Sequence, residues 1–152
     1  MNKELTPKAM QTAIEKLAAK ARAATYELRV GVPNITHQDS GLPMPELAAI
    51  HEFGTKDGHI PGRAPFAKTV YANSGYKAPL KKATAINLRT GTYQGAEQLG
   101  LRVVGDVQKT ISAGLTPENA KSTIKAKGSS KPLVNTGAFR QSITHEVRKG
   151  SK

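Results

Sequence analysis

The chain has 152 residues, with 23 Lys and Arg against 11 Asp and Glu for a formal net charge of +12, and it has no cysteine. That length predicts one domain burying roughly two thirds of the surface its unfolded chain exposes, and the lack of cysteine excludes disulfides, thiolate nucleophiles and thiolate metal sites. The opening sequence MNKELTPKAMQTAIEKL has no apolar run of the signal-peptide kind, and no segment reaches the roughly 20 apolar residues that span a bilayer, so a soluble chain is expected.

Thr6-Pro7 reads as an N-cap followed by proline at the first helical position. Met10, Ala13, Ile14, Leu17, Ala18 and Ala21 then recur at helical spacing, which predicts a helix over residues 7–24. Tyr26, Leu28, Val30 and Val32 alternate with Glu27, Arg29 and Gly31, the period of a half-buried strand, and Pro33 ends it. Residues 33–43, PNITHQDSGLP, make a polar loop too long for a tight hairpin and a candidate contact arm. Pro45 opens a short helix in which Leu47 and Ile50 share a face, Gly54 is placed to end it, and His51 and Glu52 fall at its C-terminal end. From His59 to Pro65, glycine and proline bar both helix and central strand and leave an ordered or extended connector.

Residues 77–88 and 96–111 read as two further helices separated by Gly91-Thr92. In the second, Ala96, Leu99, Val103, Val107 and Ile111 make the apolar stripe; Gly100 and Gly105 each cost about 1 kcal/mol against alanine, a cost that close approach of another backbone would explain. Thr116-Pro117 repeats the cap-plus-proline signal and predicts a brief helix over 117–125. The run KAKGSSKPL is polar and basic and makes 125–135 a second flexible segment. Asn135-Thr136-Gly137 is placed to cap a short helix through Phe139 and Ile143, and THEVR offers a closing strand. These elements predict an α+β fold over 1–152: a small, mostly antiparallel sheet packed by helices, with long loops or arms and no internal repeat.

The stretch IHEFGTKDGHIPGRAPF, residues 50–66, is the densest in chemistry-bearing residues. It fails as a zincin motif, because four residues after His51 stands Thr55, and a His51/His59 ligand pair would need a special loop. The expected role of His51 is a partly buried helix-end residue favoured by the helix dipole. No G-x-S-x-G elbow occurs, Ser40, Ser74 and Ser112 lack a local base, and GTKDGHIPG lacks the G-K-[ST] ending of a phosphate loop. Convergence of Glu46, Glu52 and Asp57 stays open, but the reading is of a chain that is no enzyme and needs no cofactor or small-molecule substrate.

Charge is uneven. Residues 58–96 hold Arg63, Lys68, Lys77, Lys81, Lys82 and Arg89 with no acid, and from Lys121 to Lys152 eight basic residues face Glu146 alone, which points to a polyanionic or acidic neighbour. The alternative reading is a basic nucleic-acid-binding protein, with Lys121, Lys125, Lys127 and Lys131 on backbone and Tyr71, Tyr76 and Tyr93 stacking on bases. Aromatics are only 5% of the chain and do not interleave with the lysines as in the common modules.

Three segments in order carry a resemblance. His51-Glu52-Phe53-Gly54-Thr55 followed by Ile60-Pro61-Gly62-Arg63 and Pro65-Phe66 resembles the signature of the tail-completion or neck proteins of tailed bacteriophages, the virion-morphogenesis family. Ala64 is one residue more than that pattern has, so the role of a junction carries over and the detailed contacts do not. LGLRVVGDVQKTI, residues 99–111, resembles the family's central helix. TPENAKSTIKAKGSSKPLVNTGAFRQSI resembles its C-terminal signature, with 131–137 the most specific part. The resemblance spans about 45–147. It implies a non-catalytic virion protein, made in the host bacterial cytoplasm. Copies would form a ring, commonly sixfold, at the head-tail junction as a neck, tail-completion or tail-terminator protein, between the head connector or portal side and the tail tube or other tail proteins, with genomic DNA passing through. On that view Arg63, Phe66, Lys131, Leu133 and Phe139 are interface candidates, and Phe66 and Phe139 are equally well read as core residues. Six copies at +12 each would carry a formal +72 around the passage. A conduit should not grip its cargo, so most of the excess is expected to face acidic partners or the outer surface.

Overall fold

The computed structural model describes residues 6–72, 74–128 and 137–150. In chain order its elements are α1 (Pro7–Ala24), β1 (Tyr26–Gly31), α2 (Met44–Phe53), α3 (Pro65–Ala72), a single tight turn (Ser74–Tyr76), α4 (Lys77–Thr90), α5 (Gln94–Ala113), α6 (Lys121–Lys127), α7 (Ala138–Ser142) and β2 (Thr144–Lys149). Helices dominate and β1 and β2 form a two-stranded antiparallel sheet, so the α+β class read from the sequence holds. Among the described residues no helix is long and apolar enough to cross a membrane.

Two compact units are distinguished within the chain. The first comprises Met1–Arg29, Lys77–Gly100 and Glu146–Lys152; the second comprises Val30–Tyr76 and Leu101–His145. Composition could not show the division, because no linker marks it. The chain passes from one unit to the other four times: within β1, between the tight turn and α4, within α5 and within β2.

In the first unit, α1 starts as its sequence dictates: Thr6 Oγ1 accepts the Ala9 N–H at 3.3 Å and Pro7 occupies the first turn. It packs against α4, yet the expected apolar stripe is not its buried face. Ala23 is the buried residue of α1, and every residue from 6 to 17 is exposed, with Ile14 65% and Leu17 67% accessible. Ala23 lies nine residues after Ile14, which at about 100° per residue is the opposite side of the helix. At the start of α5, Asn87 of α4 is fully buried and its Oδ1 accepts the N–H groups of Gly95 (2.8 Å) and Ala96 (3.3 Å), capping a neighbouring helix from the side. The Gly150 N–H bonds to the Thr25 carbonyl at 3.2 Å, a register that sets Glu27 opposite Arg148 and Arg29 opposite Glu146. Each strand closes its own pair as well, Arg29 to Glu27 at 3.0 Å and Arg148 to Glu146 at 2.7 Å.

In the second unit, the loop over 33–43 is no extended arm. A bridge joins Thr36 to Pro43, and His37 N–H to Leu42 O (2.8 Å), Gly41 N–H to His37 O (2.8 Å) and Met44 N–H to Ile35 O (2.7 Å) stitch it shut. Helix α3 was not expected, because Pro65 reads as a breaker; it stands instead at the first helical position, where its missing N–H costs nothing. The stripe of α5 packs as anticipated, with Val107 and Ile111 fully buried and Val103 8% exposed, and each such side chain contributes about 1.5–3 kcal/mol. The helix expected over 117–125 begins only at Lys121, with Ala120 as its N-cap. The run KAKGSSKPL and Asn135-Thr136 lie largely or wholly outside the described residues; α7 itself follows Gly137.

Candidate functional site

The second unit is organised around the glycine- and proline-rich stretch that ends α2. Gly54 takes φ +82°, and its N–H bonds to Ile50 O at 2.7 Å, which closes the helix. A Cβ on Gly54 would lie 2.7 Å from Gly62 N, and one on Gly62 would lie 2.8 Å from the Phe53 carbonyl carbon, so two backbones touch here and only glycine fits both. A bridge joins Gly54 to Pro61. Within the turn, the Thr55 hydroxyl donates to Asp57 at 2.5 Å and accepts the Ile60 N–H at 3.0 Å, and the His59 N–H donates to Asp57 at 3.0 Å. Those two donors, the Thr55 hydroxyl first, hold the Asp57 carboxyl below its usual range. The returning chain gives the Arg63 N–H (2.8 Å) and Ala64 N–H (3.2 Å) to the His51 carbonyl. Ala64 absorbs the change of direction at φ +47°, a left-handed conformation costing about 1–2 kcal/mol in a residue with a Cβ.

Three side chains fasten this clasp to the rest of the unit. Glu52 takes the Phe66 N–H on Oε2 (3.0 Å) and the Ala67 N–H on Oε1 (2.9 Å), a two-pronged cap that places a carboxylate at the positive end of α3. Arg63, 5% exposed, donates from Nε to Pro117 O at 2.9 Å and from Nη2 to Glu118 O and Asn119 Oδ1 at 3.5 Å each. Lys68 Nζ donates to Thr116 O at 3.0 Å. The carbonyls of residues 116–118, which precede the start of α6 at Lys121, thus accept from cationic side chains. Burial pushes the pKa of the Arg63 guanidinium down from its ordinary value, a direction without consequence near neutrality.

Phe139, on α7, is 3% exposed and sets its ring 5.6 Å from that of His51 at a 59° tilt. Around it Gln108 Nε2 donates to Arg140 O (3.1 Å), Arg140 Nη1 to Ser112 Oγ (2.7 Å), and Thr69 Oγ1 to Thr110 Oγ1 (2.8 Å). Of the five interface candidates, Arg63 and Phe139 are therefore internal: one holds backbone of its own chain, the other fills the core. Phe66 is half-buried, with its N–H on Glu52, and Lys131 and Leu133 lie outside the described residues. The Gln108, Ser112 and Arg140 group went unrecognised, since ordinary polar residues on two separate helices carry no spacing signal.

Two of the three carboxylates open to convergence have structural duties, Glu52 as a cap and Asp57 within its turn. Among the described residues no three of His, Asp and Glu group as a metal ion would need. What the arrangement does chemically is hold backbone: cations and a carboxylate satisfy carbonyls and N–H groups in segments that have no regular partner. Comparison with family models, with curated proteins and with solved structures found no match.

Proposed function

We propose that this chain is a structural virion protein, a neck or tail-completion subunit that forms a ring at the head-tail junction of a tailed bacteriophage and acts through surface complementarity. One observation carries the reading: the three segments that resemble that family meet in one framework. Arg63 and Lys68, from and just after the first segment, bind the carbonyls that open the third. The His51 ring of the first meets the Phe139 ring of the third at a tilt, and Gln108 of the second bonds to Arg140 of the third. Segments that jointly build one framework are expected to appear together and in order, which is what makes an ordered resemblance informative. The partners in this reading are further copies of the chain, a connector or portal-side protein and a tail protein.

The test is electron microscopy of particles made when this gene alone is deleted from the viral genome that encodes it. Filled or leaking heads separated from tails are expected. Normally joined particles would remove the neck role and leave nucleic-acid binding as the reading to pursue.

A further inference from the structure

Among the apolar side chains left exposed, which also include Tyr71 and Leu101, two features sit on elements of opposite charge. Met10, Ile14 and Leu17 line one face of α1 at 50%, 65% and 67% exposure, in a stretch where every neighbour is exposed too. A helical stretch of this length is marginal in water unless something packs on it. The second feature is Phe53, 82% exposed at the end of α2. Its backbone is clamped between the Gly54 turn and Gly62, so its ring is presented from a rigid support and loses little freedom on burial, as an interface anchor should.

Charge indicates what covers what. A chain at +12 repels its own copies unless the contact joins opposite signs. Residues 37–59, which include Phe53, hold four acids (Asp39, Glu46, Glu52, Asp57) and one lysine, net −3, with the histidines neutral. Helix α1 holds Lys8, Lys16, Lys20 and Arg22 against Glu15, net +3. The acidic segment carries the exposed phenyl ring, and α1 joins an excess of positive charge to the three most continuous exposed apolar residues, Met10, Ile14 and Leu17, ahead of Leu80 and Leu88 on the likewise basic α4.

We propose that Phe53 and the acidic end of α2 in one copy dock on the Met10, Ile14 and Leu17 face of α1 in a second copy. The inference rests on the ring reading above and supplies its contact. Knob and socket are different surfaces, so the contact is head-to-tail, leaves one copy of a pair with a free knob and the other with a free socket, and repeats until the assembly closes.

Two variants of the full chain test it. Phe53→Asp removes the knob and keeps the socket; Ile14→Asp does the reverse. Both positions are exposed, so folding is expected to survive, with circular dichroism as the check. In sedimentation velocity at low salt, wild type is expected to form oligomers, each variant alone to stay monomeric, and an equimolar mixture to give discrete heterodimers, one intact knob meeting one intact socket. Glu46→Lys with Asp39→Lys, both exposed, is expected to weaken wild-type association about tenfold or more. Wild type that stays monomeric at the highest concentration reached overturns the proposal. So does either single variant that assembles like wild type, a mixture that stays monomeric, or a charge reversal without effect. Heterodimers from the mixture, together with normally joined particles in the deletion experiment, would keep this contact and discard the neck role; separated heads and tails with a monomeric mixture would do the opposite.

Discussion

Arg63 shows how much one buried cation can organise. Three acceptors on residues 117–119 face its guanidinium, and in its absence at least two backbone carbonyls lose their partner in a region that is not helical. Arg63→Ala is expected to destabilise the chain by on the order of 3 kcal/mol in denaturant unfolding. Arg63→Lys should recover only part, since a point charge does not reproduce the fork. Tyr76 offers a different readout. Its hydroxyl donates to Asp106 at 2.8 Å, and burial, with the Asp106 hydrogen bond and charge, pushes its pKa up from 10.0 to about 12. The folded chain keeps this proton where the unfolded chain releases it. The resulting stability is complete below pH 10 and is lost as pH rises toward 12. Stability of wild type measured against Tyr76→Phe across that window should therefore fall with rising pH, and absorbance titration should lose one late phenolate step in the variant.

Among the elements, the glycines of α5 decide a question of sign. Alanine for glycine inside a helix usually stabilises by about 1 kcal/mol. At Gly105 a Cβ would meet nothing within 4 Å, so Gly105→Ala is expected to raise stability by about 0.5–1 kcal/mol. The close backbone approach expected at Gly105 is found at Gly95, where a Cβ would run into the Ala83 carbonyl of α4. Gly95→Ala is expected to cost about 1–3 kcal/mol despite its better propensity, because backbone cannot step aside. Thermal unfolding of the two variants side by side checks both. The same scale shows what periodicity can and cannot say. The stripes of α1 and α5 are equally regular in sequence, and only that of α5 is buried, because burial needs a partner surface and spacing does not record one.

For the whole molecule the governing quantity is the +12 charge. If most of it serves protein partners, the isolated chain should bind duplex DNA only non-specifically, with a dissociation constant of about 10⁻⁴–10⁻⁶ M at physiological salt. Fluorescence anisotropy across a salt series checks this, and binding much tighter than that at moderate salt would favour the nucleic-acid reading. Local rules within the sequence determined α1 to its last residue, the start of β1, the Gly54 stop of α2, the stripe of α5 and the closing strand, since caps, prolines and period are properties of neighbouring residues. The tertiary structure alone decided that Pro65 begins a helix, that 33–43 folds on itself and that Arg63 and Phe139 are internal. Each of those outcomes depends on where a carbonyl, a carboxylate or an apolar ring from a distant part of the chain comes to lie, and spacing along the sequence does not encode it.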